Sequence, residues 1–397
     1  MHGEPSALAG GSDSWPAAVT PAATMRAVIL PQFGQPDVLM EAVVATPVPA
    51  AGEVLVQVAA VSVGRVLDIA ARAGRHPYPG FQFPHVLGAE HAGVIAALGP
   101  AVTSWRIGER VAAFPVITDG TCAYCLRGYD EVCENLKLIG IHQPGAYAQY
   151  VAVPARNLHP VPADITPAQA TGLVLSGAVA MNQLRRSGFE AGDWVLVQGA
   201  SSALGSLTAS LAVHLGGRVI AASRSPAKRD RLAALRADAV LDPAAPDFAA
   251  RVRSLTGGRG ATIVIDNLGE AGLWQTSVDS LAPTGTLVTS GAFLGGDVRL
   301  DLARLYQQAQ RVIGVRTGNQ ASIAALWAEV DRGFRPVLDT TFPLAEAASA
   351  HRYLEDGQNV GRVSLMIPHP ETAQSEMAQP EGAQSEGAQS EGAQPWT

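Results

Sequence analysis

The sequence predicts an α/β protein in which a β-rich domain is joined to a doubly wound parallel sheet. From about residue 165 onwards, short apolar runs alternate with helical stretches, the pattern of a parallel sheet with helices on both faces. Between residues 25 and 155, short strand-like runs are instead separated by turn residues. The chain has 397 residues, 47% hydrophobic and 16% charged, which is enough for two globular domains.

The first domain is expected to consist of short strands. Its clearest strand-like runs are EVLVQVAAVSV (53–63), AGVIAALG (92–99) and YAQYVAV (147–153). Turn signals separate these runs.

The second domain is expected to contain a six-stranded parallel sheet. A helical stretch, SLTASLAVHLG (206–216), separates the first two of its apolar runs, and KRDRLAAL follows the second. The six predicted strands are WVLVQG (194–199), RVIAAS (218–223), AVLD (239–242), TIVIDNL (262–268), GTLVTSG (285–291) and RVIGVR (311–316). A helix, ASIAALWAEVDRG, then leads to a last strand, GRVSLMI (361–367).

These runs and the two chain ends divide the sequence into five parts. Residues 1–24 are rich in Ala, Gly, Ser and Pro without a basic, apolar signal pattern, and the C-terminus repeats pentapeptides such as EGAQS, so both ends are expected to be disordered. The predicted parts are a disordered extension (1–24), the β-rich domain (25–155), the parallel-sheet domain (156–317), a return to the first domain (318–368) and a disordered tail (369–397).

Charge and hydropathy exclude several classes of function. The net charge of -7 gives no electrostatic basis for binding nucleic acid or an anionic membrane. No run reaches the ~18 consecutive apolar residues that span a membrane. The only cysteines are three, clustered in one stretch, which is typical of metal binding in a reducing compartment. The sequence therefore predicts a cytoplasmic protein whose partner is neither nucleic acid nor a membrane.

A glycine-rich turn, GASSALG (199–205), joins the first predicted strand of the parallel sheet to its helix. Such a turn lets the backbone approach a pyrophosphate, which then lies at the helix N-terminus. Ala203 occupies a position that is usually glycine, so the motif alone would also fit an ordinary tight turn. Its place between a strand and a helix, with five more strands behind it, favours dinucleotide binding.

The end of the second strand indicates which dinucleotide is bound. An NAD site has Asp or Glu there to bind the ribose hydroxyls, but this chain has RVIAASRSPAKRD. Ser223 and Arg224 occupy the position, and Lys228 follows one helical turn later. One hydroxyl and two cations suit a 2'-phosphate, so the sequence predicts NADPH. The alternative is a solvated basic helix start.

The three cysteines pose a separate question. Cys122, Cys125 and Cys133 lie within DGTCAYCLRGYDEVC (119–133), and the chain has no fourth cysteine. A closed structural zinc site needs four ligands in a tetrahedron. The stretch could be a zinc site with an unusual fourth ligand, the remnant of one, or three unrelated thiols.

Several motifs, in order along residues 25–368, resemble the medium-chain dehydrogenase/reductase superfamily. They are GEVLVQV, VLGAEHAGVIAALG, RIGERV, GAYAQYVAVPARNL and the glycine-rich turn. The resemblance implies a GroES-like catalytic domain, a Rossmann domain and a substrate cleft between them. It also implies a homodimer joined through the last strand of the nucleotide sheet, RVIGVR (311–316).

The resemblance offers a fourth ligand for the cysteine stretch. Zinc-bearing members have a lobe with the spacing C-x2-C-x2-C-x7-C, and the three cysteines here match its last three positions. Asp119 falls at the first position, and a carboxylate can bind zinc. Asp119, Cys122, Cys125 and Cys133 are therefore candidate ligands of one structural Zn²⁺; the alternative is a decayed lobe held by hydrogen bonds.

The catalytic zinc of the zinc-type alcohol dehydrogenases has no matching ligands. The first cysteine position falls on Gly64 or Arg65, because a one-residue difference in loop length leaves the register open. The GHE motif reads Gly88-Ala89-Glu90, and the later cysteine position is Ser176. His91 would point away from the cleft if this segment is extended. The sequence therefore predicts no catalytic metal.

Within the superfamily this pattern resembles most closely the quinone oxidoreductase and enoyl reductase branch. The predicted reaction is NADPH-dependent reduction of the activated C=C bond of an α,β-unsaturated carbonyl or quinone-like molecule. Tyr78, in GRHPYP, is the first candidate for the proton or oxyanion donor and His76 the second, although both could be packed loop residues. Arg65 could stabilise an enolate or lie on the surface, and Asp68 is expected to orient its loop.

Two alternative functions remain open: reduction of another double bond, such as an imine, iminium or ketone, and NADPH binding without catalysis. All three share the same predicted cofactor site. Its members are Gly199, Ser201, Ser202, Ala203, Leu204, Gly205, Ser223, Arg224, Lys228, Asn267, Gly291 and Ser176, with Gly269 beside them. The motifs do not name the substrate, because pocket shape depends on loop contacts.

Overall fold

A computed structural model describes residues 14–76, 82–292 and 294–369. Its strands are β1 (Thr24–Ile29), β2 (Met40–Ala45), β3 (Glu53–Ser62), β4 (His91–Leu98), β5 (Arg110–Ala113), β6 (Val116–Ile117), β7 (Lys137–Leu138), β8 (Tyr150–Pro154), β9 (Leu158–Pro160), β10 (Trp194–Val197), β11 (Arg218–Ala222), β12 (Ala239–Leu241), β13 (Ala261–Ile265), β14 (Leu281–Thr289), β15 (Arg311–Gly314), β16 (Leu338–Pro343) and β17 (Arg362–Met366).

The α-helices lie mainly around the second sheet. They are α1 (Ala70–Arg72), α2 (Pro167–Ala170), α3 (Leu175–Ser187), α4 (Ala203–His214), α5 (Pro226–Leu232), α6 (Phe248–Leu255), α7 (Ala271–Ser280), α8 (Leu302–Gln307), α9 (Gln320–Asp331) and α10 (Ala347–Glu355). Within the described ranges, none of them is long and apolar enough to cross a membrane.

The second domain contains a six-stranded parallel sheet, as the sequence predicts. Its strand order is β12-β11-β10-β13-β14-β15. Val195 of β10 pairs with Val219 on one side and Ile263 on the other, and Val195 itself is fully buried. Burial on both faces explains why these strands read as continuous apolar runs. The order reverses between β10 and β13, which opens a crevice at the carboxyl ends of these strands.

The first domain is built on a seven-stranded sheet. The order is β16-β17-β3-β4-β5-β9, and β8 also pairs with β3. β17 lies antiparallel to β3, with Ser364 opposite Ser62, so the last strand of the described chain returns to the first domain. β9 follows residue 155, where the sequence analysis places a domain boundary, and still pairs with β5 of this sheet.

The N-terminal segment departs from the expectation that residues 1–24 are disordered. Residues 1–13 lie outside the described ranges, but the segment from Ser14 onwards lies against the first domain. The indole of Trp15 donates to the carbonyl of Ile165 at 2.9 Å. The amide of Gln57, a fully buried side chain, donates to Ala17 O at 3.2 Å and accepts from Val19 N at 3.1 Å. Because a buried amide must be hydrogen-bonded, Gln57 holds the segment that composition predicts to be free.

Helix α3 connects the two domains. It begins immediately after Val174, whose backbone lies at φ -110°, ψ -104°, and it packs against α4 and α9. The contact with the chain before α9 is close: a Cβ added to Gly318 would lie 2.2 Å from the Cβ of Ala178. Only glycine fits there, so the position of α3 is tied to that of α9.

Candidate active site

The glycine-rich turn has the geometry of a phosphate-binding turn. Gly199 adopts φ +64°, and the hydroxyl of Ser202 accepts from Gly205 N at 3.0 Å, which caps α4. A Cβ on Gly205 would lie 2.3 Å from Gly199 O, so the helix starts as close to β10 as the backbone allows. The turn also reaches the first domain, since Gly361 N donates to Ser201 O at 3.1 Å.

The three residues predicted to recognise the 2'-phosphate follow β11. Ser223 is buried, and its hydroxyl lies 3.5 Å from that of Ser201 in the turn. Arg224 is exposed and pairs with Glu270 at 3.3 Å. Such a surface ion pair contributes little to stability, so the guanidinium can exchange Glu270 for another anion. Lys228 is partly buried; burial lowers its pKa, and the nearby charge of Arg65 lowers that pKa further.

Asn267 and Gly291 lie at the ends of β13 and β14, next to the turn. The carbonyl oxygen of the Asn267 side chain accepts from Gln183 Nε2 at 2.8 Å and from Ser290 N at 3.1 Å. Its Nδ2 is buried and has no partner in the part of the chain that the structure describes. Gln183 is itself fixed, because its Oε1 accepts from Thr208 at 3.1 Å. The side chain of Asn267 thus offers a fixed donor at the crevice.

Glu90 joins four elements where the two domains meet. Its Oε1 accepts from Ser176 N, at the start of α3, at 2.8 Å. Its Oε2 accepts from the hydroxyl of Ser62 at 3.1 Å and from Arg362 Nη1 at 2.7 Å. The Glu90 and Arg362 side chains are only 6% and 5% exposed. A carboxylate at the first turn of α3 is also favoured by the helix dipole.

The positions that resemble the catalytic zinc ligands lie around this junction. Ala89 precedes Glu90 in the chain, Ser176 is hydrogen-bonded to Glu90, and Gly64 lies two residues beyond Ser62. Their side chains offer a methyl group, a hydroxyl and a hydrogen atom. The residues present therefore do not fit a zinc ion there.

A π-helical turn, Arg65–Ile69, follows Gly64. A π turn contains one residue more than an α turn. Asp68 lies within this turn and orients the loop as predicted: its Oδ2 accepts from Gly64 N at 2.7 Å and its Oδ1 from Gly88 N at 3.0 Å. Burial raises the pKa of Asp68 to about 7.

His91 lies in the core and not in the cleft. It is fully buried at the start of β4, and its Nδ1 lies 3.0 Å from Ala89 O. Burial lowers its pKa to about 4, so the imidazole is neutral at pH 7.

Of the three candidate catalytic residues, the structure describes His76 and Arg65. Tyr78 lies outside the described residues, and His76 is the last residue before that gap. The guanidinium of Arg65 donates to the carbonyl of Leu354 in α10, and burial lowers its pKa. Its proximity to Lys228 places it on the side of the cleft where the predicted 2'-phosphate site lies.

The predicted zinc ligands do come together. One ligand atom from each of Asp119, Cys122, Cys125 and Cys133 lies within 4.8 Å of the others. Two sulfurs and a carboxylate are partly exposed, and Cys133 is buried. One carboxylate and three thiols form a donor set that suits tetrahedral Zn²⁺.

Hydrogen bonds orient this lobe. The Oδ1 of Asp119 accepts from Thr121 N at 2.8 Å and from Cys122 N at 2.9 Å, while its Oδ2 accepts from Asn135 Nδ2 at 2.7 Å. These bonds, that from Cys122 N first, lower the pKa of Asp119, so its carboxylate is ionised and available to a cation. A lobe held by hydrogen bonds alone would use these same bonds.

Comparison with known proteins identifies the family. Residues 50–163 match the alcohol dehydrogenase GroES-like domain, and residues 203–332 match the zinc-binding dehydrogenase family. The chain is 31% identical to L-galactonate-5-dehydrogenase of Escherichia coli K12 over 308 residues, which cover 77% of this chain and 88% of that protein. The chain belongs to the medium-chain dehydrogenase/reductase superfamily and is a zinc-type alcohol dehydrogenase-like protein.

Other members resemble this dehydrogenase/reductase to a similar degree. A 2-haloacrylate reductase from a Burkholderia species is 30% identical over 364 residues, covering 86% of this chain and 99% of that protein. The solved structure of a mycobacterial quinone oxidoreductase is 30% identical, with a TM-score of 0.70 over 86% of this chain and 99% of that one. NAD-dependent alcohol dehydrogenases are also among the matches.

Two site residues of this family member were missed in the sequence. Arg362 is a partner of Glu90 although 272 residues separate them, and Gln183 orients Asn267 from 84 residues away. Neither residue belongs to a motif. The one available signal was that a buried Glu90 would need a cation or several donors.

Proposed function

We propose that this protein is an NADPH-dependent oxidoreductase that reduces an activated C=C bond, in an α,β-unsaturated carbonyl or quinone-like molecule, without a metal in its cleft. The observation that carries the proposal is the set Gly64, Ala89 and Ser176 at the three positions of the zinc ligands, with Glu90 already paired to Arg362. The zinc-type dehydrogenases use a Lewis acid to polarise the oxygen of a ketone or alcohol, whereas an enone accepts hydride at its β-carbon and its oxygen needs only hydrogen-bond donors.

The described residues fit a dinucleotide. The turn at Gly199 and Gly205 would hold the pyrophosphate of the dinucleotide at the N-terminus of α4. The unpartnered Nδ2 of Asn267 would donate to the dinucleotide in the crevice where the strand order reverses. Ser223, Arg224 and Lys228 would bind the 2'-phosphate. Related proteins include NAD-dependent dehydrogenases. Substitution of these three residues therefore tests whether they give this protein a preference for NADPH over NADH.

The chain's own residues would position the substrate and supply the proton. These residues would hold NADPH, whose chemistry would be to supply the hydride for the β-carbon. Ser176 lies at the start of α3, held by Glu90, and would border the nicotinamide subsite. Tyr78 or His76 would then protonate the α-carbon or hold the enolate oxygen, with Arg65 a third candidate.

The names of two relatives support the choice of substrate class. A haloacrylate carries a C=C bond conjugated to a carboxyl group, and a quinone carries C=C bonds conjugated to carbonyls. One relative is named a 2-haloacrylate reductase, and one solved structure is named a quinone oxidoreductase.

The test is NADPH oxidation against a panel of enones, quinones, ketones and imines. With an enone, deuteride from labelled NADPH should appear at the β-carbon and solvent deuterium at the α-carbon, because the enolate takes its proton from a group in exchange with water. Turnover of imines or ketones alone would favour the alternative reductase. Tight NADPH binding with no turnover of any compound would favour a binding protein.

We also infer a homodimer joined through β15. This strand forms the outer edge of the six-stranded sheet, and an unpaired edge is a template for pairing with a second copy. Leu302 and Tyr306 of the neighbouring α8 are 67% and 73% exposed, which adds apolar surface at that edge. Light scattering should give twice the chain mass of 41.1 kDa, and Val312→Pro, which removes an edge donor, should give the single mass.

A further inference from the structure

Two buried carboxylates of the cysteine lobe have no role in the proposed chemistry. Asp130 and Glu131 lie between Cys125 and Cys133 and are 7% and 3% exposed. Neither belongs to the four-residue candidate metal site. Carboxylates are almost never buried without partners, because the cost of removing their charge from water must be offset.

The partners of these carboxylates are two helices outside the lobe. Glu131 Oε1 accepts from Arg186 Nη1 at 3.1 Å, and its Oε2 accepts from Asn319 Nδ2 at 2.9 Å. Asp130 Oδ2 accepts from Gln320 N at 3.0 Å. Arg186 stands in the last turn of α3, Asn319 is the N-cap of α9, and Gln320 is its first residue.

The same two helices reach the cofactor cleft. The first turn of α3 contains Ser176, which Glu90 holds, and a later turn contains Gln183, which orients Asn267. Asn182, also on α3, donates to the carbonyl of Thr317 just before α9 at 2.8 Å. Helix α3 is therefore fixed by the lobe at its C-terminal end and by the cleft along the rest of its length.

The candidate metal ligands control the segment that carries the two carboxylates. Cys133 directly follows the short turn Asp130–Val132, and Cys125 opens the turn before it. An ion bound to both cysteines would fix both ends of the seven intervening residues. Loss of the ion would give this segment more conformational freedom, so Glu131 would be held less firmly against Arg186.

On this basis we infer that Glu131, assisted by Asp130, is a positioning residue that couples metal binding in the lobe to cofactor binding in the cleft. The inference rests on the proposed zinc and NADPH sites. The coupling is reciprocal: the metal raises the affinity for NADPH, and NADPH raises the affinity for the metal by the same factor.

The test compares zinc-loaded and zinc-stripped protein in wild type, Glu131→Gln and Glu134→Gln. Glu134 is the matched control, because it adjoins Cys133 on the other side, is exposed, and loses the same charge. NADPH dissociation constants would be measured by titration calorimetry, zinc content by atomic emission, and hydrogen exchange across α3 by mass spectrometry.

In wild type and Glu134→Gln, stripping the zinc should weaken NADPH binding about 5-fold or more, the lower end of common coupling factors, and should speed exchange in α3. In Glu131→Gln the loaded protein should still contain zinc, yet stripping it should change the NADPH dissociation constant less than ~2-fold. The loss of coupling, with the metal retained, distinguishes positioning from a merely structural role.

The inference would be overturned if stripping the zinc weakened NADPH binding as much in Glu131→Gln as in wild type. It would also be overturned if zinc did not change the NADPH affinity of wild type. If Glu131→Gln does not fold, Arg186→Gln tests the same contact from a side chain that is already 36% exposed. Absence of NADPH binding in zinc-loaded wild type and in Glu134→Gln would refute the proposed function together with the inference. Normal NADPH binding without coupling refutes the inference alone.

Discussion

Replacing Glu90 by glutamine should destabilise this protein strongly. The amide preserves the size of the side chain but removes its charge and leaves one acceptor for the three donors from Ser62, Ser176 and Arg362. The Arg362 guanidinium, only 5% exposed, would then lose the carboxylate with which it is paired. Breaking a buried ion pair by removing one partner costs about 3–5 kcal/mol. We expect the free energy of unfolding to fall by about 3 kcal/mol, the lower end of that range, since the amide oxygen still accepts one bond.

The assay is equilibrium unfolding in urea. Glu41→Gln is the control, because Glu41 is exposed on β2 and an exposed substitution changes stability by only about 0.5 kcal/mol. The double variant Glu90→Leu/Arg362→Met should recover much of the loss, since a buried ion pair can be replaced by apolar residues of similar volume. A loss below about 1 kcal/mol in Glu90→Gln, within the range of exposed pairs, would refute the buried junction on which the metal-free cleft depends.

Three further predictions concern the cofactor, the proton donor and pH. Arg224→Ala should narrow the preference for NADPH over NADH by ~1–3 kcal/mol in calorimetric titration; equal affinities in the unmutated protein would contradict the NADPH assignment. Tyr78→Phe should lower turnover ~10²–10³-fold at unchanged NADPH affinity, whereas unchanged turnover would pass the role to another donor. Burial lowers the pKa of His351 to about 3 in the folded protein, against 6.5 in the unfolded chain. As the pH falls below 6.5, the imidazole is therefore protonated in the unfolded chain but not in the folded protein, and the free energy of unfolding falls. The loss between pH 7 and 5 should be about 2 kcal/mol smaller in His351→Gln than in wild type, and equal losses would contradict the buried neutral histidine.

The parallel sheet could be predicted from the sequence because its strands are local features. Runs such as those of β10 and β13 are buried on both faces and bounded by turn residues, so their composition alone distinguishes them. The glycine-rich turn was predictable for a similar reason: Gly205 is required by a backbone contact only six residues away, at Gly199.

The junction at Glu90 could not be predicted, because its members are distant in sequence. Arg362 reaches it from β17 only after the chain has crossed both domains. The register at Gly64 was also ambiguous, and a π turn, which no local composition signals, follows it directly.

The N-terminal segment shows why composition misled at that point. Its small residues offer little to bury, which favours disorder. What holds it is one buried amide, that of Gln57, and one indole, that of Trp15, each needing a backbone partner. Such contacts depend on the finished sheet.

Counting zinc in purified, NADPH-competent protein tests the central claim most directly. If the cleft works without metal and the lobe alone binds it, plasma mass spectrometry should find at most one zinc per chain. Cys125→Ser should then contain none, because Cys125 contributes to the one candidate metal site found among the described residues. Two zinc ions per chain would contradict the metal-free cleft, and one zinc that persists in Cys125→Ser would contradict its assignment to all four residues of the lobe.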